Sequence, residues 1–379
     1  MNFELSEEQQ LLRDTLSRFC EERIKPQAAA IDEAGEFPRE LFRELADLGV
    51  FGLRYPESVG GANTDFVSYC LAISEIARGS LSLAALAAMQ SLMGTHFLNR
   101  FGNADIREHL LKPAIKGAKI GTICITEPDA GSDLSAITTT AGKVDGGYRL
   151  DGQKTWITSA PVAEFFTVFA RTGKDEPLTI FLVEREFPGV SVGRAFQKMG
   201  CWGTSNAEVF FEDCFVPEDH RLGEEGEGER ALREILAEIR IMTGALAIGV
   251  ARAALDEAVQ YAAQRVQFKR PINRFQAIQM KLAEMGTDLE AATRLVHYAA
   301  WLKDHNESYE SYQREAAMAK LFASERANEI CDQATRILGA YGYSQEFSAE
   351  RYFRDIRFTL YGGGTSEILK LIIAKEMTG

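Results

Sequence analysis

The sequence changes texture twice, and those changes divide it. Residues 1–118 carry apolar side chains at helical spacing, as at Leu41, Leu45 and Leu48. Ser6-Glu7-Glu8 reads as the N-terminus of a helix running through Arg23, and Phe37-Pro38 opens another. From residue 119 the pattern becomes short runs rich in β-branched and aromatic residues: Thr122–Thr126, Tyr148–Leu150, Phe165–Ala170, Leu178–Val183 and Ala207–Phe211. Gly, Asp and Pro separate them, as they separate strands. Helical spacing returns at residue 225, with a long amphipathic run from Arg230 to Arg265 in which Gly244 and Gly249 permit close packing. The expected class is an α+β multi-domain chain: helices over 1–118, a β domain over 119–224 and helices again over 225–379.

Composition bounds the function. With 379 residues and 46% hydrophobic content the chain can bury a sizeable core. A net charge of −13 argues against nucleic acid or an anionic membrane as partner. Cys20, Cys70, Cys124, Cys201, Cys214 and Cys331 form no CxxC or zinc spacing, so free thiols in a reducing cytoplasm are expected, with no metal. The opening MNFELSEEQQ is acidic and reads as no signal peptide. No run of about 18 apolar residues points to a membrane span. The small-residue run SLAALAAMQSLMG, bracketed by Arg78 and His96, reads as a buried core helix.

Three stretches carry chemistry. In Ile125–Asp133 (ITEPDAGSD) a strand end runs into a loop of small residues, whose amides and hydroxyls can donate to an electron-rich ring or a phosphate. In Asp151–Ser159 (DGQKTWITS) a tight turn leads into a strand with Trp156 and Thr158 on one face, a stacking wall beside a hydroxyl. Each of these alone is equally a turn loop or a hairpin. The third, RYFRDIRFTLYGGGTSEILKLIIAKEM (351–377), places Gly362, Gly363 and Gly364 before a helix opened by Thr365, Ser366 and Glu367. Glycines allow close backbone approach to a bound group, and a helix N-terminus suits an anion or a carbonyl.

Taken together and in order, these motifs resemble the acyl-CoA dehydrogenase family over nearly the full chain. The spacing Gly49…Gly52…Pro56-Glu57…Gly60-Gly61 adds to the resemblance, as does Arg265-x-x-Phe268 followed by Phe275-Gln276. The resemblance implies an N-terminal all-α domain, a middle β-barrel-like domain and a C-terminal four-helix bundle, assembled as a homotetramer (a dimer of dimers). It implies FAD, held by Ile125, Thr126, Gly131, Ser132, Trp156 and Thr158 around the ring. Arg265, Gln267, Phe268, Phe275, Gln276 and Gln279 would reach a neighbouring subunit's FAD. Arg336, Gly339, Thr365 and Glu367 would complete the site. Substrate contacts fall to Ser132, Arg240 near the CoA moiety, and Gly363. Departures from the family pattern are Asn206 for Thr, Lys269 for Gly and Arg336 for Gln.

The largest departure is Gly363, where most of the family carries the Glu that removes the α-proton of the thioester. The Gly363 N–H can still polarise the thioester carbonyl, but the carboxylate base, worth roughly 10²–10⁴-fold, is gone. The position that some relatives use instead is Ile239, also without a base. Glu238 lies one residue away, about 100° around a helix, and stands as the tentative base. The expected activity is FAD-dependent α,β-dehydrogenation of an acyl-CoA or acyl-carrier thioester with a relocated or missing base, electrons passing to an electron-transfer flavoprotein. The alternatives are a family member with other chemistry, such as 3-sulfinopropionyl-CoA desulfination (desulfinating relatives also carry Gly here), or an enoyl-CoA reductase. A sulfinate would need a cation; Arg78 is the one near the long helix. His96 is the one polar group of that stretch able to accept a proton near neutral pH.

Overall fold

The computed structural model describes residues 4–173, 176–306 and 308–378. Its N-terminal part is helical. Helix α1 (Glu7–Phe19) starts at a capping box: the Ser6 hydroxyl accepts the Gln9 N–H at 3.2 Å and the Gln9 side chain accepts the Ser6 N–H at 3.0 Å. Helix α2 (Arg39–Asp47) buries Leu41, Phe42 and Leu45. Asp65 caps α3 (Phe66–Gly79) and Ser80 caps α4 (Leu81–Ala88), which widens into a π turn over Met89–Gly94. The segment Leu81–Phe101 is long and apolar enough to cross a membrane, contrary to the sequence reading that no run qualified. Yet 83% of its most apolar 18-residue window is buried within the protein, as a core helix is.

The middle part is an eight-stranded sheet: β1 (Gly121–Cys124), β2 (Thr140–Val144), β3 (Gly147–Thr158), β4 (Phe165–Arg171), β5 (Leu178–Glu184), β6 (Val190–Val192), β7 (Asn206–Pro217) and β8 (Arg221–Leu222). The order is β6-β7-β3-β2-β4-β5-β8, with β1 parallel to β4 off this path. Phe165–Ala170 and Leu178–Val183 are buried along their whole length, which is why they read as continuous apolar runs. Strands β2, β6 and β8 carried no such signal, being largely exposed or very short.

The C-terminal part packs α5 (Gly228–Gln264), α6 (Gln276–Asp304), α7 (Gln313–Leu338), α8 (Ala349–Ile356) and α9 (Ser366–Thr378). The two glycines of α5 act as the sequence predicted. A Cβ on Gly249 would sit 2.2 Å from the Ser74 carbonyl oxygen of α3, and one on Gly244 would sit 2.7 Å from Val296 of α6. Side-chain-free positions therefore let α5 press against both the N-terminal helices and its own bundle. Between α5 and α6 projects a short hairpin, in which Val266–Gln267 pairs with Arg270–Pro271. Its tip residues Phe268 and Lys269 hold φ of +49° and +66°. The turn takes the left-handed conformation even though Lys replaces Gly.

Candidate active site

The end of β1 and the outer half of β3 lie side by side, the Thr155 N–H donating to the Thr126 carbonyl at 2.9 Å. One residue on, Glu127 is pegged into the sheet. Its carboxylate accepts from Lys154 at 2.8 Å and from the Thr138 and Thr139 N–H groups at 2.7 and 3.0 Å, and it takes both threonine hydroxyls. Burial alone would raise the Glu127 pKa; Lys154 and the hydrogen bonds outweigh it and hold it at about 2. Beyond this peg the loop through Gly131 and Ser132 is exposed, and a Cβ on Gly131 would meet nothing within 4 Å.

On β3 the pairing with β7 breaks between Lys154 and Ile157. Trp156 sits in that irregularity at φ +59°, 58% exposed, its ring 4.7 Å from Phe196. A non-glycine residue held left-handed beside a sheet bulge marks a place where geometry is spent on function rather than pairing. The Thr158 hydroxyl accepts from Asn206 Nδ2 at 2.8 Å. A backed but exposed indole, an anchored hydroxyl and an open small-residue loop on adjoining strands fit the flat, polar-edged ring of a flavin. Asn206, a departure in the sequence, has a visible task in holding Thr158.

The other expected cofactor residues find their partners within the C-terminal part. Arg265 stands 5.8 Å over the Tyr341 ring. Phe268 is 89% exposed at the hairpin tip, 6.0 Å edge-on from Phe275, which Arg270 covers at 4.2 Å. Gln267 and Gln279 donate to nearby carbonyls, those of Val266 and Asn273, and Gln276 starts α6. Arg336 pairs with Asp332 at 2.6 Å, and Gly339 ends α7 at φ +66°.

The glycine loop lies against α5. Gly363 and Gly364 hold φ of +74° and +108°. A Cβ on Gly363 would meet Thr243 Oγ1 at 3.3 Å and Ile239 Cγ2 at 3.4 Å. The loop carbonyls rest on two buried cations. Lys320 donates to the Leu360 and Gly364 carbonyls at 3.3 and 2.7 Å, and Arg240 Nε to the Gly363 carbonyl at 3.4 Å. Burial lowers both, Lys320 to about 8 and Arg240 to about 10. Neither has an ion-pair partner among the described residues. The Gly363 N–H has no acceptor among them either. Thr365 accepts the Ile368 N–H at 3.3 Å and opens α9, with Glu367 in its first turn. Nothing in the sequence singled out Lys320; Lys154 lay within a motif but was not read as its support.

The expectation that Glu238 serves as base meets a correction here. Ile239, not Glu238, faces Gly363. Glu238 turns toward the N-terminal helices and forms an ion pair with Arg54, both side chains being less than a tenth exposed. Burial pushes the Glu238 pKa up, but the adjacent Arg54 guanidinium outweighs it, so the net direction is down. One residue of helical rotation separates the two environments. His96 is half-buried, its Nε2 enclosed and unpartnered, and desolvation of the ring lowers its pKa to about 3. It is a neutral core residue rather than a base poised near pH 7. Arg78 pairs with Glu21 of the N-terminal helices and with Glu75 at 3.0 Å, so its charge is already matched.

Comparison with known proteins agrees with this architecture. The acyl-CoA dehydrogenase N-terminal domain family matches residues 6–118, the middle domain family residues 122–214 and the C-terminal domain family residues 226–378. Benzylmalonyl-CoA dehydrogenase of Aromatoleum aromaticum is 64% identical over 379 residues, covering all of both chains. A 3-(aryl)acrylate reductase of Clostridium sporogenes is 40% identical over 98% of this chain and 99% of its own. The structure of butyryl-CoA dehydrogenase from Megasphaera elsdenii superposes with a TM-score of 0.96 at 35% identity, covering both chains fully. Fold and site thus define a flavin-dependent thioester oxidoreductase. The chain belongs to the acyl-CoA dehydrogenase family: it is an FAD-dependent acyl-CoA oxidoreductase.

Proposed function

We propose that this enzyme oxidises a 2-carboxyacyl-CoA, an arylmethyl-substituted malonyl thioester, to the 2,3-enoyl-CoA with loss of CO2. One observation carries the reading: the position of the usual base is Gly363, and its side-chain neighbours are Thr243 and Ile239, neither of them a base. A plain acyl-CoA needs its C2 proton removed. A 2-carboxyacyl-CoA does not, because loss of CO2 leaves the electron pair of the broken bond on C2. That pair becomes the C2=C3 double bond as hydride leaves C3. Bound FAD supplies the hydride acceptor. The printed name of the 64% identical relative, benzylmalonyl-CoA dehydrogenase, denotes such a 2-carboxy thioester.

Each residue then has a bounded task. The Gly363 N–H polarises the thioester carbonyl and stabilises negative charge as CO2 departs. The missing side chain also leaves room on that face of C2 for the carboxylate. Ile125, Thr126, Gly131, Ser132, Trp156 and Thr158 hold the flavin ring, with Asn206 fixing Thr158. Arg265, Gln267, Phe268, Phe275, Gln276, Gln279, Arg336, Gly339, Thr365 and Glu367 serve the rest of the FAD. The exposed Phe268 hairpin supports a homotetramer in which it reaches a neighbour's cofactor. An electron-transfer flavoprotein is the natural acceptor of the electrons, and the buried thiols suit the cytoplasm. The reverse activity, suggested by the arylacrylate reductase relative, would need a proton donor to C2, which Gly363 does not provide.

The test is anaerobic. The yellow holoenzyme is mixed with benzylmalonyl-CoA or 3-phenylpropionyl-CoA while the oxidised-flavin band and released CO2 are followed. Bleaching with stoichiometric CO2 from the first, and neither from the second, is expected. Bleaching by 3-phenylpropionyl-CoA at a comparable rate would refute the reading.

A further inference from the structure

We infer that Lys320 is a positioning residue for this reaction: its ammonium closes the glycine loop into the shape that aims the Gly363 N–H at the thioester carbonyl. The inference rests on the function proposed above, in which that N–H polarises the carbonyl, and names the group that holds it ready. Three observations support it. Lys320 lies on α7 and is fully buried. Both of its hydrogen bonds go to the loop, to the Leu360 carbonyl at 3.3 Å and to the Gly364 carbonyl at 2.7 Å. Those two carbonyls lie on either side of the Gly362–Gly363 peptide, whose N–H has no acceptor among the described residues.

A run of three glycines does not hold its own shape. Glycine gives up more backbone freedom on folding than any other residue and has no side chain to wedge it in place. A Cβ on Gly362 would come no nearer than 3.4 Å to the Phe358 ring, and one on Gly364 no nearer than 3.7 Å to Ile368 and Leu369. Packing therefore holds the loop loosely, and hydrogen bonds fix it instead. Upstream, the Tyr361 and Gly362 N–H groups both donate to the Phe358 carbonyl at 3.0 Å. Downstream, the Ser366 hydroxyl donates to Glu325 of α7 at 2.5 Å where α9 begins. Lys320 spans the interval between these anchors, gripping one carbonyl ahead of the glycines and the carbonyl of the last of them. A compact ammonium suits the task, because its three donors turn freely and point apart. Burying it costs free energy, which charge-assisted bonds to the loop offset. An amide speeds the reaction only if it is already aimed where charge develops, and a displacement of about 1 Å costs on the order of a hundredfold. Lys320 thus acts through the loop rather than on the substrate.

The test reads the carbonyl directly. The enoyl product, 3-phenylacryloyl-CoA, is labelled with carbon-13 at its thioester carbonyl and bound to FAD-loaded wild type, Lys320→Met and Lys320→Gln. Isotope-edited infrared difference spectra give the carbonyl stretch, which falls as a donor polarises the bond. Wild type should lower it relative to the free thioester. Lys320→Met, of nearly equal length but without donors, should return most of that shift. It should also slow flavin bleaching by benzylmalonyl-CoA by roughly tenfold to a hundredfold, with product affinity within a few-fold of wild type. Lys320→Gln ends one methylene short and cannot reach both carbonyls, so it should behave the same way, and it carries the test should Lys320→Met not fold. A lysine that only stabilises the fold would lower the unfolding temperature and FAD content yet leave the stretch and the bleaching rate unchanged in the FAD-loaded fraction. That result in either folded variant overturns the inference. So does a wild-type stretch no lower than that of the free thioester. Absence of CO2 release from benzylmalonyl-CoA in wild type overturns the proposed function and the inference with it. CO2 release with a carbonyl stretch that ignores Lys320 overturns the inference alone.

Discussion

Glu238 and Arg54 form a buried ion pair that ties the start of α5 to the N-terminal helices, on a different face of the helix from the one that Ile239 presents to Gly363. The pair explains why a carboxylate adjacent to the family's alternative base position is not free to act as one.

The first prediction follows from that pair. Glu238→Gln leaves Arg54 buried without a counter-charge, and breaking such a pair costs about 3–5 kcal/mol. The variant should unfold at clearly lower temperature or urea concentration, while kcat in the folded fraction stays within a few-fold of wild type. Loss of turnover by orders of magnitude with unchanged stability would restore Glu238 as the base.

The Glu127–Lys154 peg predicts a pH dependence. The Glu127 pKa lies at about 2 in the folded protein, below the ordinary carboxylate value of 4.5. A lowered folded pKa means stability that is fully present above 4.5 and lost as pH falls from there toward 2. Flavin fluorescence, rising as FAD is released, should report this loss during acid titration. Glu127→Gln should remove much of that pH dependence and release FAD more readily at pH 7, because Lys154 then lies buried without its charge partner.

Gly363→Glu tests whether the missing base is the whole difference from an ordinary member. The backbone there has φ +74°, which an L-residue adopts at a cost, and the new Cβ would press on Thr243 and Ile239 at 3.3 and 3.4 Å. Pairing it with Ile239→Ala relieves the contact. The double variant should gain bleaching by 3-phenylpropionyl-CoA of roughly 10²–10⁴-fold over wild type and lose turnover of benzylmalonyl-CoA, whose carboxylate the new side chain displaces. A folded, FAD-loaded double variant that still ignores 3-phenylpropionyl-CoA would show that more than the base separates the two activities.

Phe268 offers a test of assembly. At 89% exposure and with Phe275 as its ring partner, it contributes little to the subunit's own core. Phe268→Asp should leave the secondary structure intact while lowering the mass seen by light scattering and the FAD content together. A variant that keeps both would show that the hairpin does not reach a neighbouring subunit.

Much of this was legible in the sequence because it rests on local periodicity and on residues close together in the chain. The helix–sheet–helix division, the Ser6 cap, the buried runs Phe165–Ala170 and Leu178–Val183, and the close-packing glycines of α5 all follow from spacing and side-chain size. So does the absence of a side chain at Gly363. Strands β2 and β6 were not legible, since largely exposed or very short strands carry little apolar alternation. What only the tertiary structure decided was which charges meet. Glu127 and Lys154 are 27 residues apart, Arg54 and Glu238 are 184 apart, and Arg240 and the Gly363 carbonyl are 123 apart. Sequence spacing fixes which face of its own helix a side chain occupies, but not which face of another element packs against it. That packing neutralises Arg54 with Glu238 and leaves Arg240 beside the glycine loop without a counter-charge among the described residues.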